Sequence, residues 1–432
     1  MNWGFRFKSF VGTMIYYSNM AQAITKCRAC GNTNLEVVLD LGEQYLTGTF
    51  PRSTDGVDIS KGPLRLVKCH GTQNVCGLLQ LAHNYDLSEM YGTNYGYRSG
   101  LNYRMVEHLK RKVESIRKLV DLQPEDLVVD IGSNDGTTLG FYPDNLTLVG
   151  IDPTAAKFRE YYKRHIKVVP EFFSSAAINK VAPNKKAKVI TSFAMFYDLE
   201  APLDFVSQIQ EVLHADGVWV FEQSYLPLML ETNAYDTVCH EHLEYYGMAQ
   251  IEWILNQVGM HVVGVELNDA NGGSFSVTAT HKSSLILVDQ MQIKNIRASE
   301  SLAAINELST YEAFRKRVES NRHDLQTLIK GYRSEGKRVC GIGASTKGNV
   351  VLQYCGFGPE DIEMIGDVNP DKYGAFTPGS WIPIRSEAEV LDSQPDVLLV
   401  LPWHFREFFS MSSIFKGRAL LYPLPTIELV TK

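Results

Sequence analysis

The chain has 432 residues, a formal net charge of -7 and 44% hydrophobic residues. This length predicts about three domains, and the apolar fraction is that of an ordinary globular protein. The negative charge argues against nucleic acid as the main partner, because nucleic-acid binding needs a concentrated basic surface. No apolar run is long enough to cross a bilayer, so we expect no membrane partner.

Seven cysteines are present, an odd number with four of them near the N-terminus. A secreted disulfide framework would have an even number, so we expect a cytoplasmic protein. Residues 1–19 precede a second methionine, Met20, and lack the apolar core and cleavage site of a targeting peptide. We interpret them as a non-essential extension.

Residues 20–85 combine short strands and turns with paired cysteines. VVLDLG and GLLQLA predict strands, and TFPRSTDGVDISKGP predicts a loop. One cysteine pair has two intervening residues and the other has six: Cys27 and Cys30, then Cys69 and Cys76. Four thiolates would hold a structural zinc ion, with no position left for water. Because the second gap is wide, His70 is an alternative ligand, and four unpaired core cysteines are the other interpretation.

Residues 86–295 alternate between strand and helix patterns, which predicts a doubly wound α/β sheet. VEHLKRKVESIRKLV has the apolar spacing of an amphipathic helix, and LVVDIG is typical of a buried strand. The next predicted strands are LTLVGID, HIKVVP, AKVITSFAM and GVWVFEQ, with FVSQIQEVL as a helix. HVVGVEL and SFSVTATH predict a closing antiparallel pair.

VVDIGSNDGT follows the first strand of this region and contains Asp130, Gly132, Asn134 and Gly136. Glycines allow a ligand to approach the backbone closely, and Asp152 at the next strand end can accept hydrogen bonds from ribose hydroxyls. A dinucleotide fingerprint has glycine where Asn134 stands. The motif therefore favours S-adenosylmethionine over a pyrophosphate, with an ordinary tight turn as the alternative.

Residues 296–432 begin with a charged helical stretch, interpreted as a connecting helix pair, and continue as a second α/β unit. RVCGIGAS, EMIGDV and DVLLVLPW predict strands, and a helix runs through VVLQYCG. Backbone amides at the start of that helix, with Ser345, Thr346 and Lys347, can hold a phosphate or diphosphate. The motif is not a P-loop, and a tight turn in a structural repeat is the alternative.

YDTVCHEHLEYY brackets a glutamate with two histidines, His240 and His242. Residues two apart do not share a helical face, so the motif does not predict a His-Glu-x-x-His metal centre. The segment follows the strand GVWVFEQ, beyond the sheet edge where doubly wound folds bind ligands. A histidine there can act as a base, oriented by Glu241. The alternative is a core histidine with satisfied hydrogen bonds.

Together these motifs resemble the sugar C-methyltransferases that act on nucleotide-linked keto-deoxysugars. The motifs are CRACG with the second cysteine pair, VVDIGSNDGT, GIDP, FEQSYLP, HEHLEYY, NGGSFSV, GIGASTKGN, GDVNPDKYGAFTPGSWIPI and LPW. The resemblance extends from Met20 to Lys432. It implies a small zinc-binding domain, a central Rossmann-like S-adenosylmethionine methyltransferase domain, and a C-terminal Rossmann-like domain that helps to hold the nucleotide sugar.

The resemblance also implies roles for individual residues. The base falls on His242, with Glu241 beside it, and a tyrosine near the sugar ketone falls on Tyr97, with Tyr95 as its competitor. Further substrate contacts are expected from His240, Tyr245, Ser345, Lys347 and Asn349.

One departure from the family pattern concerns Cys239, which stands where relatives often have tyrosine. The missing contact is either absent or supplied by Tyr235, Tyr245 or Tyr246.

The reaction implied is methyl transfer from S-adenosylmethionine to carbon, at C3 of a nucleoside-diphosphate-linked 4-keto-6-deoxyhexose. His242 would remove the C3 proton, and Tyr97 would stabilise the oxyanion. No redox cofactor or catalytic metal is needed, and we expect a monomer or homodimer. The alternatives are an NAD(P)-dependent nucleotide-sugar oxidoreductase and a zinc-ribbon RNA methyltransferase. The sequence does not specify the nucleotide, the sugar or the face of C3.

Overall fold

The computed structural model describes residues 21–55, 59–72, 74–86, 90 and 98–431. The predicted extension at residues 1–19 and the two candidate tyrosines, Tyr95 and Tyr97, lie outside these ranges. None of the described helices is long and apolar enough to cross a membrane.

The N-terminal region is built from short antiparallel strands: β1 (Gln22–Ala23), β2 (Leu35–Tyr45), β3 (Lys61–Cys69), β4 (Leu79–Leu81) and β5 (His83–Asn84). The two predicted strands are confirmed, but the loop predicted for residues 49–63 ends early, because β3 begins at Lys61. Proline has no N–H to donate, but β4 pairs only with residues 66–68 of β3. Pro63 therefore breaks no hydrogen bond to β4 and is tolerated in this strand.

The central region has a seven-stranded sheet in the order β12-β13-β10-β9-β6-β7-β8. Its strands are β6 (Leu127–Ile131), β7 (Thr147–Ile151), β8 (Lys167–Val169), β9 (Ala187–Phe193), β10 (Leu213–Ser224), β12 (Met260–Asn268) and β13 (Ser274–His281), with β11 (Glu244–Tyr245) placed elsewhere. The first five are parallel, and β12 and β13 are antiparallel. The predicted doubly wound sheet and its closing pair are confirmed.

The helices of this region are α1 (Tyr103–Leu119), α2 (Ser175–Val181), α3 (Pro202–Val212), α4 (Leu226–Glu231) and α5 (Met248–Gln257). Every residue of β6 is buried, because helices cover both faces of the parallel strands. Short 3-10 helices occur at Ser99–Leu101, Leu139–Phe141, Arg159–Tyr161, Phe196–Asp198, Tyr235–Thr237, Ala270–Gly272, Pro370–Lys372, Trp403–Phe405 and Ser413–Phe415.

The C-terminal region begins with the predicted helix pair, α6 (Gln290–Leu302) and α7 (Leu308–Ser334). Because α6 starts before residue 296, it runs across the predicted domain boundary, which stays a prediction. A six-stranded sheet follows in the order β16-β15-β14-β17-β18-β19. Its elements are β14 (Val339–Ile342), α8 (Thr346–Cys355), β15 (Ile365–Asp367), β16 (Ile384–Ser386), α9 (Glu387–Asp392), β17 (Val397–Val400), α10 (Arg406–Met411), β18 (Ala419–Tyr422) and β19 (Glu428–Thr431).

The three regions share elements and side-chain contacts. Strand β11, which follows the HEH motif of the central region, pairs with β4 and so extends the N-terminal sheet. The Asn349 amide on α8 donates a hydrogen bond of 2.8 Å to the carbonyl of Thr47, just beyond β2. The HEH motif is therefore enclosed by all three regions.

Candidate active site

The four predicted zinc ligands come together. The sulfur atoms of Cys27, Cys30, Cys69 and Cys76 all lie within 4.8 Å of one another. Two of the sulfur–sulfur distances, Cys27 to Cys76 and Cys30 to Cys69, are 3.5 Å. A zinc ion with four bonds of about 2.3 Å to sulfur has tetrahedral edges of about 3.8 Å, so the cluster fits a structural zinc ion.

His70, the alternative ligand, is not part of this cluster. Its backbone N–H donates to the carbonyl of Asn34, and its carbonyl accepts from the side chain of Asn32. The His70 backbone thus pairs with the Asn32–Asn34 segment, and Cys76 completes the set. The wide spacing of the second pair is accommodated by a turn rather than by a change of ligand.

A cavity of about 300 Å³ opens at the carboxyl ends of β6, β7 and β9. Four of the five predicted cofactor residues line it: Asp130, Gly132, Asn134 and Asp152. Its remaining wall is largely apolar and includes Phe172, Phe173 and Leu199. Carboxylates beside an apolar slot suit the hydroxyls, ammonium group and adenine ring of S-adenosylmethionine.

Asp152 is fixed at the wall of this cavity by backbone donors. Its carboxylate accepts hydrogen bonds from the N–H of Asn134 at 2.9 Å and of Thr154 at 2.6 Å. Asn134 has a left-handed backbone with a φ of 49°, and its side-chain oxygen accepts from the N–H of Ser99 at 2.9 Å. Asn134 therefore holds Ser99, in the segment before α1, at the wall of this cavity. We call it the donor cavity, because it is the candidate site for the methyl donor.

Gly136, the fifth predicted cofactor residue, does not line the cavity. Its φ is 77°, and a Cβ there would lie 2.6 Å from the ring of Tyr162. Only glycine allows this close approach. Asp130 is buried, and burial raises its pKa to about 7, partly offset by the hydrogen bond of 2.5 Å from Thr191.

We expect Asp152→Asn to weaken S-adenosylmethionine binding by about 10- to 100-fold, because a charge-assisted acceptor for ribose hydroxyls is lost. Isothermal titration calorimetry with the purified protein measures this. Asn retains an acceptor for the Asn134 N–H, so the loop should keep its shape. Asp144→Asn, an exposed acid of the same domain, is the matched control. Equal affinities for the wild type and Asp152→Asn would contradict the assignment.

His242 lies in the turn that follows the 3-10 helix Tyr235–Thr237. Its Nδ1 is 2.9 Å from the carbonyl oxygen of Thr237. A carbonyl can only accept, so Nδ1 carries the proton and Nε2 keeps its lone pair. The hydroxyl of Tyr245 donates to the same carbonyl at 3.4 Å. The group that orients His242 is thus Thr237, and the expectation that Glu241 orients it is corrected.

The surroundings of His242 keep the imidazole neutral. Burial and the positive charge of Lys347 lower the pKa of His242 to about 4. Its ring lies 4.4 Å from the ring of Tyr197. Asp198, the next residue, lines the donor cavity. His242 therefore contacts a residue whose neighbour in the chain lines the cavity.

Glu241 faces the N-terminal region. Its Oε1 would lie only 2.6 Å from a Cβ at Gly48, so a larger residue at position 48 would displace the carboxylate. Among the described residues its Oε2 has no hydrogen-bond partner. Burial raises the pKa of Glu241, which favours its protonated form.

His240 is placed differently from His242. It is fully buried, its Nε2 is 3.3 Å from the carbonyl of Gly62, and its ring lies 4.8 Å from that of Tyr85. Burial lowers its pKa to about 4. The structure does not bring His240 to the surface of the cleft, and its surroundings match those of a core histidine.

Cys239 is also fully buried, and burial raises its pKa. The three tyrosines considered as substitutes all use their hydroxyls elsewhere. Tyr235 donates to Asn321 at 3.0 Å, Tyr246 donates to Glu244 at 2.7 Å, and Tyr245 donates to Thr237. None of the three directs its hydroxyl to His242.

The predicted phosphate-binding turn of the C-terminal region lies beside the HEH motif. Ser345 caps α8 by accepting from the N–H of Gly348 at 3.0 Å. The Thr346 hydroxyl lies 3.7 Å from the Cβ position of Gly48, which also contacts Glu241. The charge of Lys347 lowers the pKa values of both His242 and His404. Residues of all three regions thus surround the HEH motif.

Several residues around the HEH motif were not predicted from the sequence. Tyr197, Thr237 and Gly48 contact the HEH motif, but they lie in other elements or act through backbone atoms. Asp236 is buried and accepts from the indole N–H of Trp403 at 2.8 Å. The sequence signal for three of them was their place within the segments YDTVCHEHLEYY, which contains Asp236 and Thr237, and LPW, which contains Trp403.

Comparisons with known proteins agree with this architecture. Three family models match in chain order: a zinc binding domain over residues 27–91, a methyltransferase domain over residues 102–265, and a C-methyltransferase C-terminal domain over residues 269–425. The C-methyltransferase NovU of Streptomyces niveus is 27% identical over 419 residues, which are 96% of this chain and 98% of that protein. None of these descriptions supports the oxidoreductase alternative.

Solved structures give only distant matches. The magnesium protoporphyrin IX methyltransferase ChlM from Synechocystis PCC 6803 has a TM-score of 0.32 and 14% identity, covering 42% of this chain and 88% of that one. The mitomycin 7-O-methyltransferase MmcR has a TM-score of 0.33 and 14% identity, covering 42% and 55%. These scores carry no functional argument. The sequence matches, the donor cavity and the four-cysteine cluster together support an S-adenosylmethionine-dependent C-methyltransferase with a zinc-binding domain.

Proposed function

We propose that the chain transfers a methyl group to C3 of a nucleoside-diphosphate-linked 4-keto-6-deoxyhexose. The observation that carries this proposal is the state of His242. It is a neutral imidazole with Nδ1 committed to Thr237, so Nε2 can accept a proton. Its ring contacts Tyr197, the neighbour of the cavity residue Asp198, and the charge of Lys347 lowers its pKa.

The chemistry follows from the acidity of a carbon next to a ketone. Such a proton is too weakly acidic for water to remove quickly, and a positioned base contributes about 100- to 10,000-fold. His242 Nε2 takes the proton, which leaves C3 as the nucleophile. When bound, S-adenosylmethionine supplies an electrophilic methyl group. Similarity to a C-methyltransferase supports carbon as the acceptor atom.

The developing oxyanion needs donors at the ketone oxygen. We assign this role to Tyr97, as the family resemblance implies. We propose Glu241 as a second donor, because burial raises its pKa and so favours a carboxylic acid that can donate. Tyr245 and His240 are buried, and Tyr245 donates to the Thr237 carbonyl that orients His242, so we propose that they position this turn rather than touch the substrate.

The diphosphate is placed at the start of α8. Free backbone N–H groups at a helix N-terminus favour anions, and Ser345, Lys347 and Asn349 lie in its first turns. The sugar would then extend from the start of α8 toward His242, whose pKa is lowered by the charge of Lys347 in that first turn.

The proposal is tested by incubating the protein and S-adenosylmethionine with a panel of dTDP- and GDP-linked 4-keto-6-deoxyhexoses. Mass spectrometry should find one added methyl group, and carbon NMR should locate it on C3. Methylation of a hydroxyl group or of RNA, with every keto sugar left unchanged, would contradict the proposal.

Lys347→Met gives a directional pH prediction. The base works only when neutral, so activity is lost as pH falls through the pKa of His242. Removing the ammonium removes one cause that lowers this pKa, so the acid limb of kcat/KM should move to higher pH. KM for the sugar nucleotide should also rise by about 10-fold, because a phosphate contact is lost.

Lys347→Arg keeps the charge and should leave the acid limb close to that of the wild type. Circular dichroism at each pH confirms that the protein compared is folded. An unchanged limb in Lys347→Met would remove Lys347 from the surroundings of the base.

A further inference from the structure

The C-terminal α/β unit repeats the layout of the donor-binding unit. Strand β14 leads through a glycine turn into α8, and the next strand, β15, pairs with β14 in parallel. Asp367 ends β15, in the position that Asp152 takes after β7. The N–H of Gly343 donates to the carbonyl of Gly366 at 2.7 Å. Asp367 therefore lies beside the turn that opens α8.

The carboxylate of Asp367 is tied to this turn. It is 7% exposed, and its Oδ1 accepts from the N–H of Asn369 at 2.8 Å. The Lys372 ammonium lies 3.5 Å from its Oδ2 and donates to the carbonyl of Ala344 at 2.6 Å. Lys372 thus links the acid to the start of α8, while the ring of Phe50 covers the ammonium at 4.7 Å.

A second, independent observation comes from α8 itself. Asn349 lies one helical turn after Ser345 and Thr346, on the same face. It is fully buried, and its side-chain oxygen has no hydrogen-bond partner among the described residues. The hydroxyl of Thr47, whose carbonyl Asn349 binds, is also buried and has no hydrogen-bond partner among the described residues. Buried polar atoms without partners are costly, so this face is suited to a polar ligand.

The chemistry of these groups restricts what each can bind. A carboxylate is an acceptor only, and phosphate oxygens are also acceptors and negatively charged. Asp367 therefore cannot hold a phosphate of a ligand, but it can accept hydrogen bonds from a sugar hydroxyl. In α/β folds of this kind, an acid at the second strand end binds ribose hydroxyls.

We propose that Asp367 binds a ribose hydroxyl of the nucleoside diphosphate whose phosphates lie at the start of α8. Lys372 is a positioning residue that keeps the Asp367 carboxylate beside the turn. The inference rests on the proposed nucleotide-linked substrate. It places the nucleoside on the β15 side of α8, and the reacting sugar on the His242 side.

Isothermal titration calorimetry with the full chain tests this by comparing GDP and dTDP with inorganic pyrophosphate, which has no ribose. In Asp367→Asn, binding of GDP should weaken by about 10- to 100-fold. Pyrophosphate binding should be unchanged or tighter, because a negative charge near the turn is lost. Opposite responses of the two probes separate loss of a ribose contact from damage to the phosphate site.

Asp371→Asn is the matched control, because it removes an exposed acid of the same loop. It should leave both affinities unchanged. If Asp367→Asn weakens the binding of both GDP and dTDP, the contact is with the 3'-hydroxyl, which both nucleotides have. If it weakens only GDP binding, the contact is with the 2'-hydroxyl, which dTDP lacks. Either result supports the inference.

Equal weakening of GDP and pyrophosphate, or no weakening of either nucleotide, would overturn the assignment of Asp367 and leave the proposed function standing. If the wild-type chain binds no nucleoside diphosphate, the proposed function and this inference both fall. Pyrophosphate binding by Asp367→Asn also reports that the variant is folded.

Discussion

His242→Gln should reduce the exchange of the substrate C3 proton with solvent deuterium by about 100- to 10,000-fold. Glutamine has a similar size but no basic nitrogen, so the cleft is kept and the base is lost. The exchange is followed by mass spectrometry without a methyl donor, which isolates proton removal from methyl transfer. Methylation of the same keto sugar should fall in parallel, because C3 becomes a nucleophile only after deprotonation.

His240→Gln is the control for this experiment, since the adjacent histidine has its Nε2 near the carbonyl of Gly62. It should lower the thermal midpoint while the folded fraction keeps most of its exchange activity. Exchange that persists in His242→Gln and disappears in folded His240→Gln would reverse the roles given to the two histidines.

Cys69→Ser should reduce bound zinc to well below one atom per chain and destabilise the protein by about 4 kcal/mol or more, because one of four metal ligands is lost. The loss should extend beyond the N-terminal region. Cys69 and Cys76 share a core with Met248 and Ile251 of α5. Gln250 of the same helix donates to the carbonyl of Cys76 at 3.3 Å. Elemental analysis and differential scanning calorimetry measure the two effects.

Cys355→Ser provides the comparison, because Cys355 is buried but lies outside the four-cysteine cluster. It should retain a full zinc content. A Cys69→Ser protein with undiminished zinc and an unchanged melting temperature would show that the cluster is not the metal site.

The central sheet and the zinc cluster could be predicted from the sequence for physical reasons. Parallel strands buried on both faces appear as continuous apolar runs, as in LVVDIG, and thiolate pairs have a restricted spacing. The strand Lys61–Cys69 was partly missed, because glycine and proline suggested a turn. Its pairing with β2, a long-range contact, outweighed that local preference.

The surroundings of His242, the proposed base, could be predicted only in part. Its position after a sheet strand indicated a site, and the family resemblance implied its role. Its orienting partner is a backbone carbonyl, that of Thr237, and a carbonyl has no residue-specific signature. The contact of Glu241 with Gly48 joins residues far apart in the chain, and a glycine in a loop gives no sign that it faces an acid.

The contribution of three regions to the surroundings of the HEH motif separates the two parts of the site along the chain. Every residue that lines the donor cavity lies at or before Phe205. Lys347, whose charge lowers the pKa of His242, lies on α8, and Asn349 of the same helix holds Thr47. A substitution on α8 can therefore change the titration of His242 without altering any residue that lines the donor cavity.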